Sequence, residues 1–140
     1  MPHSKAAFYC LGLIATLAAC EALAPPTPLP INSQQLLAPD QYRVWWAATE
    51  SCSGINGNFD AIMWFMVPDA QTIDTPEGPK VGLWSHSSRG VRIVLAGNYV
   101  DNELVVRHEM LHALLDRSGH PADYFELRCH LTWDTWPHGG

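Results

Sequence analysis

Basic side chains are scarce in this 140-residue chain: 8 Lys and Arg face 14 Asp and Glu, for a formal charge of −6 at neutral pH. A nucleic-acid binder normally carries a basic stripe, so nucleic acid is not an expected partner. Charge of either sign is sparse at 16%, while 47% of residues are hydrophobic, a balance that excludes a disordered tail and permits a packed core. Long apolar runs are missing too. The run from Ala6 to Leu17 has 12 residues, short of the about 20 that a membrane-spanning helix needs. No internal repeat is visible, and the length is too small for two ordinary domains, so one domain with appendages is expected. What the chain does have is 6 tryptophans, 11 prolines and 7 histidines. The tryptophans supply the apolar area that a domain of this size needs to fold.

Lys5 followed by the apolar run to Leu17 reads as a signal peptide rather than as part of the fold. It ends in Leu17-Ala18-Ala19-Cys20, which resembles the lipobox of bacterial lipoproteins. The resemblance implies cleavage before Cys20, a lipid on its sulfur and an acylated amino terminus, and so a membrane anchor in the bacterial cell envelope. Glu21, rather than Asp, follows the cysteine, which by the same resemblance leans toward the outer membrane. Residues 1–19 are then signal peptide, and residues 20–38 the lipidated cysteine with a tether stiffened by prolines at 25, 26, 28 and 30. Residues 39–140 form the domain, its fold starting near Gln34 to Pro39. Cys10 leaves with the signal and Cys20 is lipidated, so Cys52 and Cys129 remain, most simply as one disulfide in an oxidising compartment.

Periodicity and punctuation give a coarse map. Pro39 opens a helix with apolar positions at Tyr42, Trp45, Trp46 and Cys52, ended by Ser53-Gly54; both tryptophans read as core or its rim. Ala61 to Val67 is a strand, residues 68–80 a loop, and Val81 to Trp84 and Val91 to Ala96 two further strands. Ser85 to Gly90 is expected to link them as a hairpin loop. Asp101 is the expected N-cap of a helix from about Asn102 to Arg117, with Ser118-Gly119 as its stop. Pro121 can open a short helix reaching Cys129.

The chemistry concentrates in His108-Glu109-Met110-Leu111-His112. On a helix, positions i and i+4 lie above one another, so both imidazoles leave from one face and can occupy adjacent corners of a tetrahedral Zn²⁺. Glu109 points to the side, where it can reach a metal-bound water. Leu104, Val106, Met110, Leu111, Ala113, Leu114 and Leu115 surround most of this helix, which predicts its burial. A buried helix should not carry two histidines and a glutamate without a partner for them. His120 is the leading third ligand, with Gly119 in the left-handed region turning the chain back and Pro121 holding His120 extended. Glu126 is next, and Asp116, Asp123 and His130 follow. Asp116 can also orient an imidazole, Tyr124 or Arg128 can stabilise an oxyanion if the last helix faces the metal, and His86, His130 and His138 are expected in solvent.

This HExxH segment resembles the zincin metallopeptidases. The resemblance implies an α+β, zincin-like minidomain with a small sheet packed on the buried HExxH helix. It implies zinc-dependent hydrolysis of a peptide or protein substrate, with Glu109 as general base and Val91 to Ala96 pairing with extended substrate at the cleft. The chain departs from the subfamilies. Leu115 and Ser118 stand where metzincins have Gly and His, no methionine follows His112, and Glu126 is the nearest counterpart of the gluzincin glutamate. The alternative is a non-catalytic metal-binding or structural envelope lipoprotein that binds a protein partner.

Overall fold

The structure, a computed structural model, describes residues 27–137. The expected signal peptide, Cys20 with its lipid, and His138 lie outside the described residues. The described chain folds as α+β, with a four-stranded sheet covered on one face by helices. Among the described residues no helix is long and apolar enough to cross a membrane.

The sheet runs in the order β1-β2-β4-β3, with β1 Gln34–Gln35, β2 Ile62–Val67, β3 Gly82–Ser87 and β4 Gly90–Ala96. Strand β4 pairs in parallel with β2 and antiparallel with β3. Gln34 and Gln35 fall inside the stretch expected as tether, yet they pair with β2, and Leu36 N–H bonds Trp64 O at 2.9 Å.

Two expectations are corrected by this topology. The segment from Val91 to Ala96 is not a cleft edge: it lies inside the sheet with both sides paired, and β3 is the edge strand. The composition explains why. Strands β2 and β4 are near-continuous apolar runs that suit burial on both faces, whereas β3 carries Ser85, His86 and Ser87, which tolerate an edge. The link from β3 to β4 is also shorter than expected. Pairing continues to Ser87↔Gly90 and leaves a turn of only Ser88 and Arg89. Gly90 takes a φ of 102°, open to glycine at no steric cost, and Ser87 Oγ accepts the Arg89 N–H at 3.2 Å.

Helix α1, Asp40–Ser53, starts after Pro39 and ends at Gly54. It buries Tyr42 and Trp46, with Trp45 at the core rim. Helix α2, Glu103–Leu115, is capped by Asn102, not Asp101: the Asn102 side chain accepts the Val105 N–H at 3.1 Å. Its apolar girdle divides between two cores. Val105, Val106 and Met110 join Tyr42, Trp64, Ile93 and Leu95; Leu104 and Leu111 join Phe125, Cys129 and Leu131. Between α1 and α2, Arg107 Nε donates to Thr49 Oγ1 at 3.1 Å, and Tyr42 Oη donates to Val100 O at 2.6 Å. Burial, helped by nearby Asp101, raises the Tyr42 pKa, so the phenol stays a donor.

Past α2 the chain forms a π-helical segment, Asp123–Arg128, after Pro121. The Cys52–Cys129 disulfide ties its end to the last turn of α1, closing a separation of 77 residues.

Candidate metal centre

Helix α2 ends earlier than the expected Arg117, and Gly119 does not take the left-handed turn. Asp116 does, with φ 50°. An aspartate tolerates this conformation better than most side chains, and its carboxylate here meets His86 Nδ1 at 2.6 Å. The early turn matters to the site. It brings the Arg117 carbonyl back onto His112 Nδ1 at 2.8 Å. The Leu131 carbonyl meets His108 Nδ1 at 2.7 Å. Since a carbonyl only accepts, both Nδ1 atoms carry the proton, and both Nε2 lone pairs are left to point outward. Asp116, weighed as the group that orients an imidazole, orients His86 on the surface instead.

His120 closes the constellation. Its Nε2 lies 2.9 Å from His108 Nε2 and 3.2 Å from His112 Nε2. Nitrogens bound tetrahedrally at about 2.0–2.1 Å are about 3.3 Å apart, so this spacing fits one shared cation. Among the described residues, His108, His112 and His120 form the group that can hold a metal ion, with ligand atoms all within 4.8 Å. Glu126, Asp123 and His130 are exposed and stand outside it. Asp123 instead pairs with Arg128 at 3.1 Å. Arg128 also lies over the Tyr124 ring and donates to Ser53 O, so neither Tyr124 nor Arg128 faces the three histidines as an oxyanion group.

Phe125 is the floor of the site and was not legible in the sequence. Fully buried, its ring centre lies 4.8, 4.8 and 4.9 Å from those of His108, His112 and His120. Trp84 of β3 stacks on His112 from the other side, at 6.1 Å and 24°. This packing fixes the imidazole planes and lowers their basicity. Burial lowers the His112 pKa to about 4 against the opposing Arg117 carbonyl, with His108 and His120 pushing it further down. His108 is lowered by burial and the nearby His120, opposed by the Leu131 carbonyl; His120 is lowered by burial and Lys80. All three are neutral at pH 7, the state in which imidazole ligates.

Glu109 lies beside the trio and outside it. It is 6% exposed and packs against Gly82 of β3, where a Cβ would stand 2.6 Å from Glu109 Oε1 and 2.8 Å from its Cγ. A side chain there would require Glu109 or β3 to shift. Burial raises the Glu109 pKa to about 8, with the charge of Lys80 acting in the opposite direction. Glu109 and the three histidines line one cleft of about 530 Å³ between β3 and α2, with Lys80 and Trp133 at its rim. Lys80 is placed by the Ile73↔Lys80 bridge, a pairing across the proline-rich loop that no local pattern signals.

Among the described residues the outer edge of β3 is unpaired, and it borders this cleft. Ala96 N–H bonds Val81 O, so the alternation of an antiparallel pair turns the backbone groups of Gly82, Trp84 and His86 away from β4. No family model matches the chain, and neither curated proteins nor solved structures give a match.

Proposed function

We propose that this chain is a zincin-like, zinc-dependent peptidase in which His108, His112 and His120 hold the metal and Glu109 is the general base. The observation that carries the reading is the convergence of three Nε2 atoms, two of them left proton-free by carbonyls on Nδ1, with a buried carboxyl beside them that is not part of the set. Three neutral imidazoles are a donor set that suits Zn²⁺. When bound, zinc supplies Lewis-acid polarisation of a carbonyl and acidifies water. The chain's own residues do the rest. Glu109, shielded from solvent, takes a proton from the attacking water and returns it to the leaving amine; the carboxylate form that this requires is favoured beside a dication held by the adjacent histidines. Gly82, Trp84 and His86 offer main-chain hydrogen bonds to an extended substrate, the role expected of Val91 to Ala96 and assigned here to β3.

The non-catalytic alternative calls for a closed shell of four protein ligands. Among the described residues the metal-capable group has three members, and Glu126, the natural fourth, is not one of them, which favours the enzyme. The lipobox-like Leu17-Ala18-Ala19-Cys20 supports the further proposal that a lipid on Cys20 anchors the peptidase to a bacterial envelope membrane.

Incubation of the zinc-loaded chain with a broad peptide library, read by mass spectrometry, tests the activity. Cleavage that stops with a chelator and returns with added zinc is the expected result. A zinc-loaded chain that cleaves nothing moves the assignment to the metal-binding alternative.

A further inference from the structure

The sheet face away from α2 carries an anomaly of its own. Arg92, in the interior strand β4, is 7% exposed, and among the described residues it has no carboxylate partner. Among the described residues its only hydrogen-bond acceptor is the Thr27 carbonyl, and its buried Nε has no partner. A guanidinium cannot shed its charge and offers five N–H donors, so burying it with one neutral acceptor is costly unless something else meets the rest.

Arg92 lines a cavity of about 760 Å³, formed between residues 27–31, the loop around 72–77 and strands β3 and β4. The size is that of a small-molecule site. Apart from Arg92 the walls are largely apolar, with Leu29, Val67, Ile73, Leu83 and Val94 among them, and the register partner Ser85 beside the guanidinium. Asp74 and Glu77 also line the cavity and are exposed, so they oppose a ligand with several negative charges.

We infer that this cavity binds a monoanionic amphiphile, a carboxylate carried on an apolar chain, through Arg92. The carboxylate takes guanidinium N–H donors that the Thr27 carbonyl leaves free, and the chain lies along the apolar walls. The site is on the opposite sheet face from the three histidines, and the inference does not depend on the peptidase reading.

Calorimetric titration of the purified chain with decanoate and with decan-1-ol tests it, because the two probes share a chain and differ in the charged head. Decanoate is expected to bind one per chain and about tenfold or more tighter than the alcohol, the gain of a charge-assisted pair. Arg92→Gln should abolish that preference and His120→Ala should leave it intact. Equal affinity for the two probes in the wild type, or no decanoate binding, overturns the inference whatever the variants do. A preference lost in His120→Ala but kept in Arg92→Gln puts the carboxylate at the metal centre and overturns it equally.

Discussion

The three histidines are held by two different devices, and the devices differ in what they withstand. His108 and His112 are locked by main-chain carbonyls, whereas His120 rests on packing against Phe125 and the other two imidazoles. Substituting alanine for any of the three should remove stoichiometric zinc, measured by inductively coupled plasma mass spectrometry. Full retention in His120→Ala would return Glu126 to contention as the third ligand. The metal-free protein should also show a pH dependence of identifiable sign. Glu109 keeps its proton in the fold up to about 8 but loses it near 4.5 when unfolded, so across that interval stability falls as pH rises. His112 acts in the opposite sense: with a folded pKa near 4 and an unfolded value of 6.5, its stability contribution is lost as pH falls between them. His108 and His120 are lowered too and act in the same sense as His112, so the histidine effect is nearly complete only about one unit above 6.5, where Glu109 dominates. Urea midpoints of the metal-free protein should therefore decline from about one pH unit above 6.5 through the Glu109 value of about 8, and Glu109→Gln should flatten the decline. A slope that survives the substitution would belong to another group.

At the level of elements, the site depends on strand β3 and the π-helical segment as much as on α2. Gly82→Ala forces β3 or the Glu109 side chain to move, since the new Cβ meets Oε1 at 2.6 Å. The expected cost is about 1–3 kcal/mol of stability, the usual range for overpacking, with zinc content unchanged because no ligand is touched; zinc loss would show that β3 also sets the histidine geometry. The disulfide should couple to the metal. Cys129 lies in the same small core as Phe125 and Leu131, the floor of the site and the carbonyl partner of His108. Replacing both cysteines by serine should cost about 2–5 kcal/mol and weaken zinc binding in a competition assay; unchanged affinity would mean that packing alone holds Leu131 in place. These elements also mark where the sequence ceased to be informative. The i, i+4 histidines and the helix that bears them were legible because their spacing is local. The two cysteines were legible because the expected processing leaves no others. The edge role of β3 was not, because strand order is set by non-local pairing, and β4 has the more strand-like composition. The left-handed Asp116 was missed because its stabilising contact, His86, lies 30 residues away in sequence. Phe125 carries no mark that separates a metal-site floor from an ordinary core ring.

The molecule as a whole places two unlike sites on opposite faces of one small sheet: a neutral, aromatic-floored histidine cluster under α2 and a buried guanidinium on the far side. Zinc bound by the fold and not by the unfolded chain should raise the unfolding temperature in proportion to the logarithm of free zinc, and a chelator should reverse the gain. Lipidation belongs to this scale as well. Incorporation of labelled palmitate in a bacterial host is expected for the full chain and not for Cys20→Ser; equal labelling would remove the anchor. The central claim is that Glu109 serves catalysis while the histidines serve the metal. The most direct test is a paired measurement on wild type and Glu109→Gln: zinc content together with the rate of cleavage of any peptide the wild type hydrolyses. The account requires equal zinc in both proteins and a rate lower by at least about 10²–10⁴-fold in the variant, the usual contribution of a general acid–base group. Loss of zinc along with activity, or a variant that cleaves as fast as the wild type, would contradict it.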